Sequence, residues 1–414
     1  MSNVSTLNVL LYGEVIGTIT HVGSDRTLFA FTEAYIENTA RPILSLGFKD
    51  SLGELITEFR PIQTKLMPFF SNLLPEETMR TYLAERAGVN PEREFFLLWM
   101  LGRDLPGAIT VEPADGESLP PNFKEPVGDA KNEEEFPMRF SLAGVQLKFS
   151  AVRKTKGGLT IPVDGVGGSW IVKLPSSVFG GVPENEFSMM ELARQVGMDV
   201  PETKLMSMGK IENMPDGIER FGGSFKNSRA FAIKRFDRRD DRTSVHMEDF
   251  AQIFGVYPRD KYKKASMRNI AEVIGMEGKE SDVAEFIRRL VFNTLIGNAD
   301  MHLKNWSLIY NDPRSASIAP AYDVVSTISY LADDKAALKV SRTKRFDAFS
   351  MDELSHMAAK ARLPEKLVLD TAGETVTYFQ DAWRKEKKNL DLTRDMIEAI
   401  NKHLKTIPIA DEGS

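Results

Sequence analysis

The sequence predicts an α+β fold with an α/β N-terminal region, a small strand-rich lobe holding one helix, and an all-α C-terminal lobe. Three observations carry this reading. Alternating strand-like runs fall in two groups, near the N-terminus and within 138–246, and a proline-rich acidic stretch separates them. From about residue 247 to the end nearly every periodic segment has helical spacing. The implied parts are 1–110, a linker at 111–137, a small lobe at 138–246 and a helical lobe at 247–408.

In chain order, LNVLLYGEVIGTI reads as a hairpin turning at Tyr12-Gly13-Glu14, and LFAFTEAYI as a further strand. PEETMRTYLAERAGV and PEREFFLLWMLG open on Pro and acids and continue with helical apolar spacing, so they read as helices. The segment 112–137 holds five prolines and many acids without periodicity, which marks a linker. RFSLAGVQLKFSAV, GLTIPV, SWIVKL and RAFAIKRF are short β-like runs, and PENEFSMMELARQVGM between the last two is an amphipathic helix starting at Pro183. EFIRRLVFNTLI places Phe286, Leu290, Val291 and Leu295 at helical spacing, and WSLIY alternates as a strand.

Bulk composition excludes several classes. The 414 residues suffice for two or three domains, and the net charge of −6 argues against a dedicated nucleic-acid binder. There is no cysteine, so disulfides, thiolate nucleophiles and cysteine metal sites are excluded, and a reducing compartment fits. MSNVSTLNVLLYGEVIG lacks the features of a signal peptide, and no apolar run reaches membrane-spanning length. The expectation is a soluble, cytoplasmic protein with no membrane partner.

The chemistry concentrates in GNADMHLKNW at 297–306, a polar loop between the expected helix and strand. Asp300 and Asn305 have the Asp-x-x-x-x-Asn spacing of a phosphotransferase loop, in which the Asp takes the acceptor proton and the Asn amide oxygen ligates Mg²⁺. IAPAYDVVST supplies Asp323 as second metal ligand, preceded by Tyr322. His302 reads as supporting the loop or contacting phosphate, with Lys304 beside it. Lys173 ends an apolar strand, where a lysine reaching the phosphates belongs. Of Glu184, Glu186 and Glu191 on the following helix, Glu186 is the expected partner that fixes it. SLAGVQLK at 141–148, with Gly144 as its hinge, is the candidate phosphate loop. The fold so implied is protein-kinase-like and two-lobed.

Taken in order, FSLAGVQLK, WIVKLP, ENEF, KRFDR, HMEDFAQ, GNADMHLKN and PAYDVVS resemble the HipA family of serine/threonine kinase toxins. LLYGEVIGTI, FFSNLLPEE and LGRDLPGAITV extend the resemblance over roughly residues 7 to 400. The resemblance implies ATP and Mg²⁺ as cofactors, Asp300 as catalytic base, and Asn305 and Asp323 as metal ligands. It places the ATP-binding loop at Ala143, Gly144, Val145, Gln146, Leu147 and Lys148, with Ser141 as the site of self-inhibiting autophosphorylation. Lys173, His302, Lys304 and Tyr322 fall at nucleotide positions, and Lys234, Arg235 and Phe236 on the adenine hinge, where Lys234 replaces an acidic residue. Val145 and Leu147 also depart from the small or charged residues common in that loop.

The resemblance further implies a toxin paired with a dimeric helix-turn-helix antitoxin (HipB-like), joined to operator DNA through that complex. Its protein target would be a translation component such as glutamyl-tRNA synthetase. Two alternatives stand beside this reading: an inactive kinase-like co-repressor scaffold, and a small-molecule or lipid kinase.

Overall fold

Alternation in STLNVLL determines the first strand, Ser5–Leu11 (β1), whose Leu7, Val9 and Leu11 are at most 1% exposed. A tight turn follows at Tyr12 (φ 53°) and Gly13 (φ 85°), and two successive positive φ values let a two-residue loop match the strand twist. Glu14–Val22 (β2), Arg26–Phe31 (β3), Ile62–Gln63 (β4) and Ile109–Pro113 (β5) complete an antiparallel sheet of order β4-β3-β2-β1-β5. The computed structural model describes residues 5–114, 147–154, 158–162, 167–176, 178–215, 228–241, 243–331 and 335–412. Ser141, Ala143, Gly144, Val145 and Gln146 lie outside the described residues, as does most of the expected linker.

Among the described residues the chain divides into two units: one within 1–144, 237–261 and 309–315, the other within 145–236, 262–308 and 316–414. In the first, the sheet shares a core with the helices Pro68–Ser71, Glu77–Ala87 and Glu94–Leu101. Phe29 sits at its centre, with ring centroids of Phe31 and Phe70 at 4.8 and 4.9 Å. Each such buried ring contributes about 1.5–3 kcal/mol. One expectation is corrected here. LFAFTEAYI is a strand only to Phe31, because Thr32 accepts a hydrogen bond from the Tyr35 amide at 3.2 Å and caps a helix over Glu33–Glu37.

The second unit is built on Lys148–Arg153 (β6), Leu159–Thr160 (β7), Trp170–Lys173 (β8), Thr203–Ser207 (β9), Ile211–Glu212 (β10) and Arg229–Lys234 (β11). They form one sheet of order β10-β7-β6-β8-β11-β9, antiparallel except for β10 with β7. The helix Val182–Gln195 packs on β9 and β11 and begins at Gly181 (φ 72°), with Pro183 in its first turn. The helix Glu280–Leu295, buried along most of its length, packs against Glu365–Glu386 and delivers the chain to the polar loop at 297–306. The chain then runs through the strands Ser307–Asp312 and Ser315–Ile318, whose residues 309–315 belong to the first unit, before reaching Asp323 in the second. Among the described residues no helix is long and apolar enough to cross a membrane.

Candidate active site

Strand alternation directs Trp170 and Val172 into the core and leaves Lys173 on the other face of β8. Its ammonium bonds the Glu186 carboxylate at 2.5 Å and also bonds Asp323. Glu186 is 1% exposed on the helix Val182–Gln195. The two other glutamates of that helix are engaged elsewhere: Glu184 with Arg229 at 3.0 Å, and Glu191 with Arg194 and Thr203.

The cluster divides its charge unevenly. Burial opposes ionisation of Lys173, but Asp323 and Glu186 hold its pKa above the usual lysine value. Burial pushes Glu186 up to about 7 against the pull of the ammonium. At Asp323 burial is outweighed by Lys173 and Lys148, whose charges hold the carboxyl down at about 2. Asp323 also adopts a left-handed backbone, φ 54°, a conformation that costs of order 1–3 kcal/mol outside glycine.

The second half of the site is the loop after Leu295. Gly297 has φ 67°, and a Cβ there would come within 2.6 Å of Ile328, so only glycine fits. Asn298 accepts a bond from the Asp300 amide at 3.0 Å and donates to Asn293 at 2.8 Å. The Asp300 carbonyl accepts from the His302 amide and from Asn305 Nδ2, each at 2.8 Å. The Asp300 side chain accepts a bond from the Tyr262 hydroxyl at 2.7 Å. The Thr327 hydroxyl accepts from the Ala299 amide at 2.7 Å and donates to the Gly297 carbonyl at 3.1 Å, tying this loop to the segment that follows Asp323.

His302 is 2% exposed, its ring edge-on to Tyr262 at 5.0 Å. The Tyr322 hydroxyl reaches Ser307 at 2.5 Å and the Lys304 carbonyl at 2.9 Å, and its ring lies 5.8 Å from Phe236. Phe236, Tyr322 and Lys304 are thus one contiguous group. The amides of Lys234 and Arg235 donate to Glu202 and Ser169 carbonyls at 2.8 and 2.9 Å, so hinge contacts to a ligand cannot use those two donors. Leu147 is 2% exposed, while Lys148 is exposed and acts on Asp323 and Glu186 through its charge.

Among the described residues no group of three or more His, Asp or Glu side chains converges as a metal cage. The donors present still suit Mg²⁺, which takes hard oxygens and keeps several waters. Asp323 offers an ionised carboxylate, and the bond from Asn305 Nδ2 to Asp300 leaves the amide oxygen as the ligating atom.

Sequence reasoning missed Tyr262, Asn185, Ser326 and Thr327. Tyr262 stands in RDKYKK, which has no periodicity, and Asn185 is overshadowed by the glutamates on either side.

Two family models match the chain: the HipA N-terminal domain over residues 7–112 and the HipA-like C-terminal domain over 140–383. Y4dM of Sinorhizobium fredii, which carries a kinase name, is 55% identical over 100% of this chain and 99% of its own length. The serine/threonine-protein kinase toxin HipA of Shewanella oneidensis is 26% identical over 68% of each chain. A solved complex of Shewanella oneidensis MR-1 HipA, HipB and operator DNA superposes with a TM-score of 0.72 at 21% identity, covering 98% of this chain and 96% of that one. At that identity the likeness shows a common fold.

Proposed function

This chain belongs to the HipA family, and from that premise and the geometry around Lys173 we propose that it is an ATP-dependent protein serine/threonine kinase. The observation that carries the proposal is the Lys173 ammonium bonded at once to Glu186 and Asp323, in the same unit as the Asp300 loop that Thr327 ties to the segment after Asp323. A buried cation held by a helix glutamate is the device that grips nucleotide phosphates in this chemistry.

In this reading Lys173 binds the phosphates and Glu186 keeps the ammonium in place. Asp323 and Asn305 would hold Mg²⁺, which offsets phosphate charge when bound with the nucleotide. Asp300 accepts the proton of the incoming serine or threonine hydroxyl, a contribution of about 10²–10⁴-fold in rate. Phe236 and Tyr322, with carbonyl groups of the 234–236 segment, contact the base.

The biological reading extends the same proposal. The chain acts as the toxin of a toxin–antitoxin pair in the cytoplasm, bound by a dimeric helix-turn-helix antitoxin and, through it, to operator DNA. The complexed Shewanella relative supports this. Its target is a translation component such as glutamyl-tRNA synthetase, and phosphate on Ser141 shuts the enzyme down, adding about −1.5 to −2 charges to the loop that the resemblance assigns to ATP.

The test is incubation of the purified chain with Mg²⁺ and labelled ATP, followed by peptide mass spectrometry. Label on protein hydroxyls, Ser141 among them, supports the reading. Label on lipid or small molecules instead, or no transfer with the nucleotide still bound, replaces it by the small-molecule kinase or the inactive scaffold.

A further inference from the structure

Backbone bonds fix the main chain of Asp300, as described above, but they do not set where its carboxylate points. The carboxylate itself is engaged by a residue 38 positions earlier. The Tyr262 hydroxyl donates to Asp300 Oδ1 at 2.7 Å. The Tyr262 ring is itself held. It meets the buried His302 edge-on, with centroids 5.0 Å apart and planes at 81°. Its carbonyl accepts a bond from Lys344 Nζ at 3.3 Å, and the same ammonium bonds the Ala337 carbonyl at 2.5 Å. A short, directed bond from an immobilised phenol takes up one carboxylate oxygen.

We propose that Tyr262 is a positioning residue for phosphotransfer. By engaging Oδ1 it holds the Asp300 carboxylate in the orientation from which it meets the acceptor hydroxyl. The inference rests on the kinase reading. In the step it serves, the acceptor oxygen bonds the γ-phosphorus and its proton passes to the Asp300 carboxylate. The bond from that phosphorus to the β–γ bridging oxygen breaks, and ADP leaves with the electron pair. Tyr262 loses no proton in the step; it sets the geometry in which the step occurs. A misplacement of about 1 Å can cost a reaction roughly 10²-fold, so the orientation of a single carboxylate is worth that much.

Tyr262→Phe removes the hydroxyl and keeps the ring against His302, so the fold survives. The expected result is a kcat lowered about 10- to 100-fold, with the KM for ATP and the ATP affinity unchanged. Within an Asp300→Asn background the same change should lower the residual rate no further, because residues acting as a unit are non-additive. A purely structural tyrosine would give losses that add in the double variant, or would raise the KM for ATP with kcat intact; either result overturns the proposal.

A second arm does not depend on activity. Crystal structures of the wild type and Tyr262→Phe should show the Asp300 carboxylate ordered in the first and rotated or disordered in the second. An unchanged carboxylate in the variant overturns the inference by itself. A wild-type protein that transfers no phosphate overturns the kinase reading instead, and the crystallographic comparison still decides whether Tyr262 orients Asp300.

Discussion

Asn185 and Ser326 exchange two hydrogen bonds: Asn185 Nδ2 donates to the Ser326 carbonyl at 3.0 Å, and the Ser326 amide donates to Asn185 Oδ1 at 3.1 Å. Both residues are 0% exposed. Asn185 precedes Glu186, and Ser326 lies shortly after Asp323, so this pair joins the two segments whose carboxylates meet at Lys173. Nδ2 also reaches the Tyr330 hydroxyl at 3.3 Å, which satisfies the buried amide fully.

Asn185→Ala strips partners from two buried backbone groups of Ser326, each costing about 1–3 kcal/mol when left unpaired. The expected outcome is a clear drop in unfolding midpoint together with weaker ATP binding, since Glu186 and Asp323 lose their common frame. Thermal unfolding and nucleotide titration on the same sample check both. A destabilised variant with unaltered ATP affinity would show that the clamp serves the fold alone.

Lys173→Met should abolish phosphotransfer and make stability depend on pH. Without the ammonium, Glu186 and Asp323 face each other as buried like charges, so their folded-state pKa values lie above the unfolded ones. The stability they contribute is then present at low pH and lost as pH rises through the folded values. Removing one partner of a buried ion cluster costs about 3–5 kcal/mol. Denaturant unfolding at pH 5 and pH 8 should place most of the loss at pH 8; a loss equal at both values would mean the carboxylates do not sense each other.

Asp300→Gln and Asp323→Asn should separate chemistry from binding. The first removes the proton acceptor and should lower transfer about 10²–10⁴-fold and end growth inhibition while ATP affinity stays near wild type. The second removes an anionic oxygen from the expected metal site and should raise the Mg²⁺ concentration needed for nucleotide binding. Mg²⁺ titrations of ATP binding in both variants distinguish them, and an Asp323→Asn protein with unchanged Mg²⁺ demand would relocate the metal.

His246 in the strand His246–Asp249 is 0% exposed; its Nε2 bonds the Leu44 carbonyl at 2.7 Å, and among the described residues its Nδ1 has no hydrogen-bond partner. Burial lowers its pKa from 6.5 to about 4. A depressed folded pKa means that the unfolded chain takes up the proton first, so stability is lost as pH falls from 6.5 toward 4, by about 1.4 kcal/mol per unit. Glu248, bonded to Ser45, Tyr310 and the Leu46 amide, is pushed up to about 7 by burial, so its contribution grows as pH falls. The two oppose each other over the shared window. His246→Gln, which cannot titrate, should therefore cost most stability at neutral pH and progressively less toward pH 5, read from unfolding midpoints of both proteins. A cost that does not vary with pH would contradict a neutral buried imidazole.

Local chemistry in the sequence determined a good part of this protein. The alternation of Trp170-Ile171-Val172-Lys173 is enough to orient a lysine away from the core, and the helical spacing after Glu280 followed by Gly297 is enough to end a buried helix in a polar loop. Those patterns repeat within a few residues, and neighbours along a strand or helix dictate them. The tertiary structure alone decided which distant groups meet. Asp323 reaches Lys173 across 150 residues, Asn185 reaches Ser326 across 141, and Tyr262 reaches Asp300 across 38. None of these partners carries a periodic signal, because a hydrogen bond between distant segments depends on how sheet and helices pack, and packing is a property of the whole core. Thr32 is a local case instead: its capping bond from the Tyr35 amide, three residues on, ended a strand that propensity alone would have extended.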